Sequence, residues 1–232
     1  MKRLYREVAT APVAAGFGVT LDGRPAKTPA KNDLVVPGAA LAAVLADEWN
    51  TQQGEIRPAA MPLTGIAAAA IDRVAPARPE IVRQVADYAA TDLLCYRALH
   101  PPGLVARQEA AWQPLIDWAA RRYDAPLVAT AGVIPAVQPA ASLDAFAAAV
   151  REHDDFALAA LHRMTTACGS LVIALALGEG RLDAGEAFAA SQLDESWQIE
   201  AWGEDAEQAR RRRLLAVEIA AAARFLTLLR AG

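Results

Sequence analysis

The chain has 232 residues, 54% of them hydrophobic, and a formal charge of -4 at neutral pH. That is enough apolar material for a sizeable core, and the acidic balance excludes nucleic acid as a main partner, because phosphate neutralisation needs a net basic face. Two cysteines, Cys95 and Cys168, with no CxxC pair, exclude a disulfide scaffold and read as buried free thiols of a reducing compartment; the most apolar run, at 171–177, is far below bilayer-spanning length. A cytoplasmic protein with no membrane insertion is expected.

Up to about Pro37 the chain reads as extended. Val13, Phe17, Val19 and Leu21 mark short strands, and Asp22-Gly23 signals a tight hairpin turn because its glycine tolerates positive φ. Leu34-Val35-Val36 is a further strand, ended by Pro37 and Gly38. Leu41, Val44, Leu45, Glu48, Trp49 and Gln52 then recur at helical spacing and predict a helix packed on the sheet. Ile56 fits a short strand or a loop equally well.

From Met61 the period is helical. Leu63, Ile66, Ala67, Ala70, Ile71 and Val74 trace an amphipathic helix, and Pro76 and Pro79 bound the connection to the next. Ile81, Val85 and Tyr88 carry that next helix toward Leu93, Leu94 and Tyr96. Leu104, Ala111, Trp112, Leu115 and Ala119 mark another helix, and a Pro-containing connector follows at 124–139. Further helices are expected at 143–150, 155–177, 184–202 and 204–229, with Gly178 and Gly203 as stops. The expected fold class is α+β: a small N-terminal antiparallel β module with one helix, residues 1–60, followed by a larger all-α helical domain, residues 61–232.

Motifs for chemistry are sparse. Gly16-Phe17-Gly18 lacks the later glycine of a dinucleotide loop and precedes a hairpin, not a helix, and there is no P-loop. His100, His153 and His162 stand in no metal-ligand spacing, and Glu152-His153-Asp154-Asp155 reads as a hydrated interhelical loop. Asp92 reads as a helix cap or intrachain hydrogen-bond acceptor, five residues from Arg97 and too far round a helix to pair with it. No catalytic residue, cofactor or metal is expected.

One stretch stands apart. Leu193 to Asp205 carries two tryptophans and several carboxylates with almost no basic partners. Leu193, Trp197 and Ala201 share one helical stripe, while Glu195, Gln198 and Trp202 share the next. Trp202 either packs on the following helix or belongs to a docking surface, where tryptophan is enriched. Arg24 and Lys27, beside the hairpin, either reach a partner or guard an exposed sheet edge. An enzyme with a carboxylate base, Glu195 or Asp92, and a permanent structural subunit of an oligomer are the competing functional classes.

Five ordered blocks carry a family likeness: Leu21 to Pro29, Glu48-Trp49-Asn50-Thr51-Gln52, Met61-Pro62-Leu63-Thr64, Thr91 to Arg97, and Asp194 to Gly203. With these blocks, the chain resembles the assembly chaperones of the α subunit of mitochondrial F-type ATP synthase, the ATP synthase assembly factor 2 family, over practically its whole length. The resemblance implies a β-rich N-terminal and a helical C-terminal domain. It also implies a non-enzymatic role, binding the free α subunit of F-type ATP synthase and preventing its aggregation until a β subunit takes the chaperone's place. No Arg- and Ser-rich transit peptide stands at the start, so a bacterial, cytoplasmic member is expected. Glu195, Gln198, Glu200 and Trp202, with Trp49, Arg24 and Lys27, are the expected client-binding residues.

Overall fold

A computed structural model describes residues 2–132 and 136–231. Their packing divides the chain into two units. One comprises residues up to 78 together with 154–160 and those from 224 onward; the other comprises 79–153 and 161–223.

In the first unit, β1 (Val8–Val13) and β2 (Gly16–Leu21) form an antiparallel pair in register from Val8 opposite Leu21 to Val13 opposite Gly16. Asp22 and Gly23 then both adopt positive φ, +49° and +76°, and turn the chain into β3 (Arg24–Pro25), the hairpin expected from that dipeptide. The strand β4 (Val35–Val36) also pairs with β2. Gly16 is obligatory here: its φ is +136°, and a Cβ would lie 2.3 Å from the Val36 carbonyl oxygen. The helix α1 (Ala39–Asn50) packs on β1 and β2 and buries Leu41, Ala42, Leu45 and Trp49.

Polar side chains lock this unit. The helix α2 (Pro62–Ala69) has no capping side chain at Met61; instead the Glu48 carboxylate accepts from the Leu63 and Thr64 amides at 2.9 and 2.7 Å. Two of the five family-like blocks are thus the two halves of one helix cap. Asp72 accepts from Thr28 Oγ1 (2.7 Å), the Ala30 amide (2.9 Å) and Asn32 Nδ2 (2.9 Å), tying the loop after β3 to the turn that follows α2. Desolvation alone would raise its pKa; the three hydrogen bonds together outweigh that and hold it below the ordinary carboxylate range. Beyond α2 the helix widens at 70–74 and tightens at 75–77 before α3 (Arg78–Ala86).

The second unit is helical: most of α3, α4 (Pro102–Tyr123), α5 (Ala140–Arg151), the later turns of α6 (Asp155–Cys168), α7 (Leu171–Gly178), α8 (Ala184–Ser191), α9 (Leu193–Trp202) and the first two thirds of α10 (Ala206–Arg230). Its core holds Trp112, Phe146, Met164 and all eight residues of α7. The small N-terminal sheet and larger helical region agree with the expected fold class.

Three helices differ from expectation. The segment 155–177 is broken by Gly169 at φ +65°, after which Ser170 Oγ caps α7 by accepting from the Ile173 amide. The segment 184–202 breaks at Gln192, whose φ of -114° and ψ of 24° leave the helical well. The run from Ile81 stops at Ala86; short tight turns follow, then β5 (Tyr96–Arg97) pairs in parallel with β6 (Thr130–Ala131), inside the expected connector. Residues 133–135 of that connector lie outside the described residues.

Asp92 explains the last of these breaks. It is extended (φ -60°, ψ 134°) and 0% exposed; its carboxylate accepts from the Leu94 amide and, across 80 residues, from the Val172 amide, both at 3.1 Å. A carboxylate at the start of α7 satisfies amides the helix leaves unpaired and complements its dipole. Burial pushes its pKa up to about 6, against the pull of its hydrogen bonds. Nearby, burial pushes the free thiols of Cys95 and Cys168 up to about 12.

Candidate interaction surface on the α9 helix

The sequence sets α9 off at both ends. Gln192 breaks it from α8, and Gly203, at φ +83°, stops it while its amide donates 2.8 Å to the Ile199 carbonyl. Asp205 Oδ1 then accepts from the Gln208 amide at 2.8 Å and starts α10. No residue of α9 is fully buried; Leu193, Trp197 and Ile199 are partly covered, and that burial alone does not fix the helix.

Polar and aromatic contacts do. Gln108, itself buried in α4, donates from Nε2 to Asp194 Oδ1 at 2.7 Å, while its Oε1 accepts from the Ala98 amide. The Arg107 guanidinium lies 4.7 Å over the Trp197 ring and donates to Glu200 Oε1 at 2.8 Å. That hydrogen bond holds the Glu200 carboxyl below its ordinary range and raises Arg107. Trp197 rests directly on Gly103; a Cβ there would meet Trp197 Cη2 at 2.7 Å. From the other side, Arg212 donates to Ser196 Oγ at 3.0 Å, pairs with Glu204 at 3.3 Å and lies over the Phe188 ring.

These ties consume Asp194, Ser196, Trp197 and Glu200. They leave Glu195, Gln198 and Trp202 exposed at spacings of three and four on one stripe, with Trp202 80% exposed at the helix end. Trp202 therefore does not pack into the core. The stripe reading of the sequence brings these three together, and Glu200 sits beside them in its pair with Arg107.

The other expected residues lie in the first unit. Arg24 is exposed on β3; Lys27 is half-exposed and pairs with Asp33 at 2.5 Å. Trp49 is only 7% exposed: it meets Tyr5 edge-on, Tyr5 Oη donates to its carbonyl at 2.6 Å, and its indole nitrogen has no partner among the described residues.

Sequence reasoning missed Arg107, Gln108 and Arg212. Their partners lie 93, 86 and 16 residues away, and neither charge type nor helical period marks such pairs. Gly103, at the start of α4, was a faint signal, since a glycine beside a helix start can mark the close approach of another side chain.

The candidate chemical groups are occupied by the fold. Asp92 is sealed at the α7 cap. Arg97 does not approach it; its guanidinium donates to the Leu94 and Gln108 carbonyls at 2.9 Å and lies over Trp112. In the acidic run, Asp154 caps α6 through the Ala157 amide and Asp155 pairs with Arg78 at 2.7 Å, so two of its members are structural and not merely hydrated. Among the described residues no group of His, Cys, Asp and Glu is arranged to hold a metal, and no helix is long and apolar enough to cross a membrane.

Residues 2–120 match the family model of the ATP12 chaperone protein. Atp12 from Paracoccus denitrificans is 42% identical, superimposes with a TM-score of 0.93 and is covered over 98% of both chains. The chain belongs to the ATP12 chaperone family. A point variant of the same Paracoccus protein superimposes at 0.92, over 98% of this chain and 97% of that one. The Agrobacterium tumefaciens protein Atu1473 does so at 0.94 with 42% identity, covering 98% of this chain and 86% of that one. Membership of this family makes the protein a chaperone and not an enzyme.

Proposed function

We propose that the chain binds the free α subunit of an F-type ATP synthase in the bacterial cytoplasm and keeps it from aggregating until the β subunit replaces it. An unassembled ring subunit exposes a face destined for burial against its neighbour, and such a face aggregates when uncovered. A holder that must later yield needs a grip weaker than the final contact. A mostly polar face with few aromatic anchors suits that requirement.

The observation that carries this reading is α9: a helix with no fully buried residue, fixed in place by polar and aromatic contacts, that presents Glu195, Gln198 and Trp202 outward. Glu200 extends this surface, and its bond to Arg107 sets its direction. Arg24 and Lys27 would offer a second, basic contact on the N-terminal unit, with Trp49 acting from beneath by holding Tyr5 and α1.

The test is an aggregation assay of purified cognate α subunit. With this protein present, light scattering should stay low, and adding β subunit should release the protein from the α subunit. Unchanged precipitation would overturn the proposal, and so would a complex that β subunit cannot dissociate.

A further inference from the structure

The four consecutive arginines at 210–213 divide into two roles. Arg212 turns inward, with its side chain 18% exposed, and joins α8, α9 and α10 through Phe188, Ser196 and Glu204. Arg210, Arg211 and Arg213 are exposed and, among the described residues, make no ion pair. Glu207, four residues before Arg211, does not pair with it, and Glu218 is engaged with Arg163 at 2.6 Å.

The same face carries two aliphatic side chains. Leu214 and Val217 are 58% and 54% exposed; Arg210 and Leu214, and Arg213 and Val217, stand four apart, while Arg210 and Arg213, and Leu214 and Val217, stand three apart, so the four share one stripe of α10. Cations without an ion pair interleaved with exposed aliphatics form a stripe that folding does not require: among the described residues no carboxylate pairs with these guanidinium groups, and more than half of each aliphatic side chain stays uncovered. Solubility would be served by the arginines alone, and a purely ionic site would have no use for Leu214 and Val217.

We propose that this stripe of α10 is a second docking surface, distinct from the acidic α9 face, and that its occupant is an acidic amphipathic helix of a protein partner. Such a helix would place aliphatic residues on Leu214 and Val217 and carboxylates against Arg210, Arg211 and Arg213, whose forked donors match carboxylates. Charge complementarity selects this occupant over a basic one. The aliphatic pair selects a folded protein segment over a polyphosphate backbone. The two helices would then offer one protein chain, or two, surfaces of opposite sign.

The test uses the full-length chain and fluorescence anisotropy of a labelled amphipathic peptide with one glutamate face and one leucine stripe. Poly-glutamate, a short DNA duplex and phosphatidylserine vesicles serve as rival probes. The peptide should bind, and added salt should weaken it. Arg210→Glu with Arg213→Glu, and separately Leu214→Ser with Val217→Ser, should each weaken it by about tenfold or more. Glu195→Lys should leave it unchanged, which separates this surface from the α9 proposal. The inference fails if the peptide does not bind, if the aliphatic double variant has no effect, or if DNA or vesicles bind as tightly as the peptide. It also fails if the stripe instead supports a concentration-dependent dimer of this chain that the same variants abolish.

Discussion

The helices α7 and α9 lie in the same unit and are similar in length, yet they are held by opposite means. Every residue of α7 is buried, and its first amides are satisfied by Ser170 and Asp92. No residue of α9 is fully buried, and it is fixed by Gln108, Arg107, Arg212 and the seat of Trp197 on Gly103. Burial of a large aliphatic side chain stabilises by about 1.5–3 kcal/mol, whereas an exposed ion pair or cation–π contact contributes about 1 kcal/mol or less. The fold therefore depends on α7 and tolerates change on the outer side of α9. A helix whose outward side chains are irrelevant to stability is free to carry a binding face.

The strongest way to break this comparison is at Asp92. Asp92→Ala leaves the buried Leu94 and Val172 amides without acceptors and should cost about 3 kcal/mol in urea unfolding. A loss under about 1 kcal/mol would show that α7 does not depend on this cap.

The pH dependence sharpens the same point. The carboxyl of Asp92 is pushed up to about 6 by burial, above its unfolded value, so folding takes up a proton between about pH 4 and 6. Its contribution to stability is whole below the unfolded pKa and falls as pH rises through that window. The decline is on the order of 3 kcal/mol. Asp22, Asp72 and Glu80 shift the other way, so their contributions are lost as pH falls; they are common to both proteins and cancel in a comparison. The stability of the parent chain minus that of Asp92→Asn should therefore decrease from pH 4 to 6. A flat difference would place the carboxylate in a more polar setting.

Smaller effects should follow on α9. Gly103→Val pushes a Cβ into Trp197 and should cost about 1–2 kcal/mol, with faster hydrogen exchange over 193–202 while α7 stays protected. Glu200→Gln weakens one exposed pair and should change stability by less than about 1 kcal/mol. Glu195→Gln should change it by less than about 0.5 kcal/mol, because its side chain serves no fold contact. If Glu195→Gln proved as damaging as Gly103→Val in thermal melts, α9 would be scaffold.

The sequence made much of the fold legible wherever period and punctuation agreed. Asp22-Gly23 places its hairpin, Leu41, Leu45 and Trp49 fall on the buried face of α1, and Asp92 is the cap its residue type suggested. The missed breaks have a common cause. Apolar residues continue across Gly169 and Gln192, and a continuous period hides a change of helix direction; Ser170 before Leu171 was the visible cap signal. At the candidate surface the stripe of Glu195, Gln198 and Trp202 was readable, but not whether Trp202 faced the core. Spacing places a side chain on a stripe, while the exposure of that stripe depends on Arg107, Gln108 and Arg212 reaching it from other helices.

The most direct measurement is the affinity of purified α subunit for three forms of this protein: the parent chain, Glu195→Lys with Trp202→Ala, and Gly103→Val. Far-UV circular dichroism and thermal melts should accompany each titration. The surface double variant should lose α-subunit binding by about a hundredfold while its spectrum and melting stay at parent values. Parent-like binding by that variant, with its helices intact, would contradict the assignment of α9 as the client face.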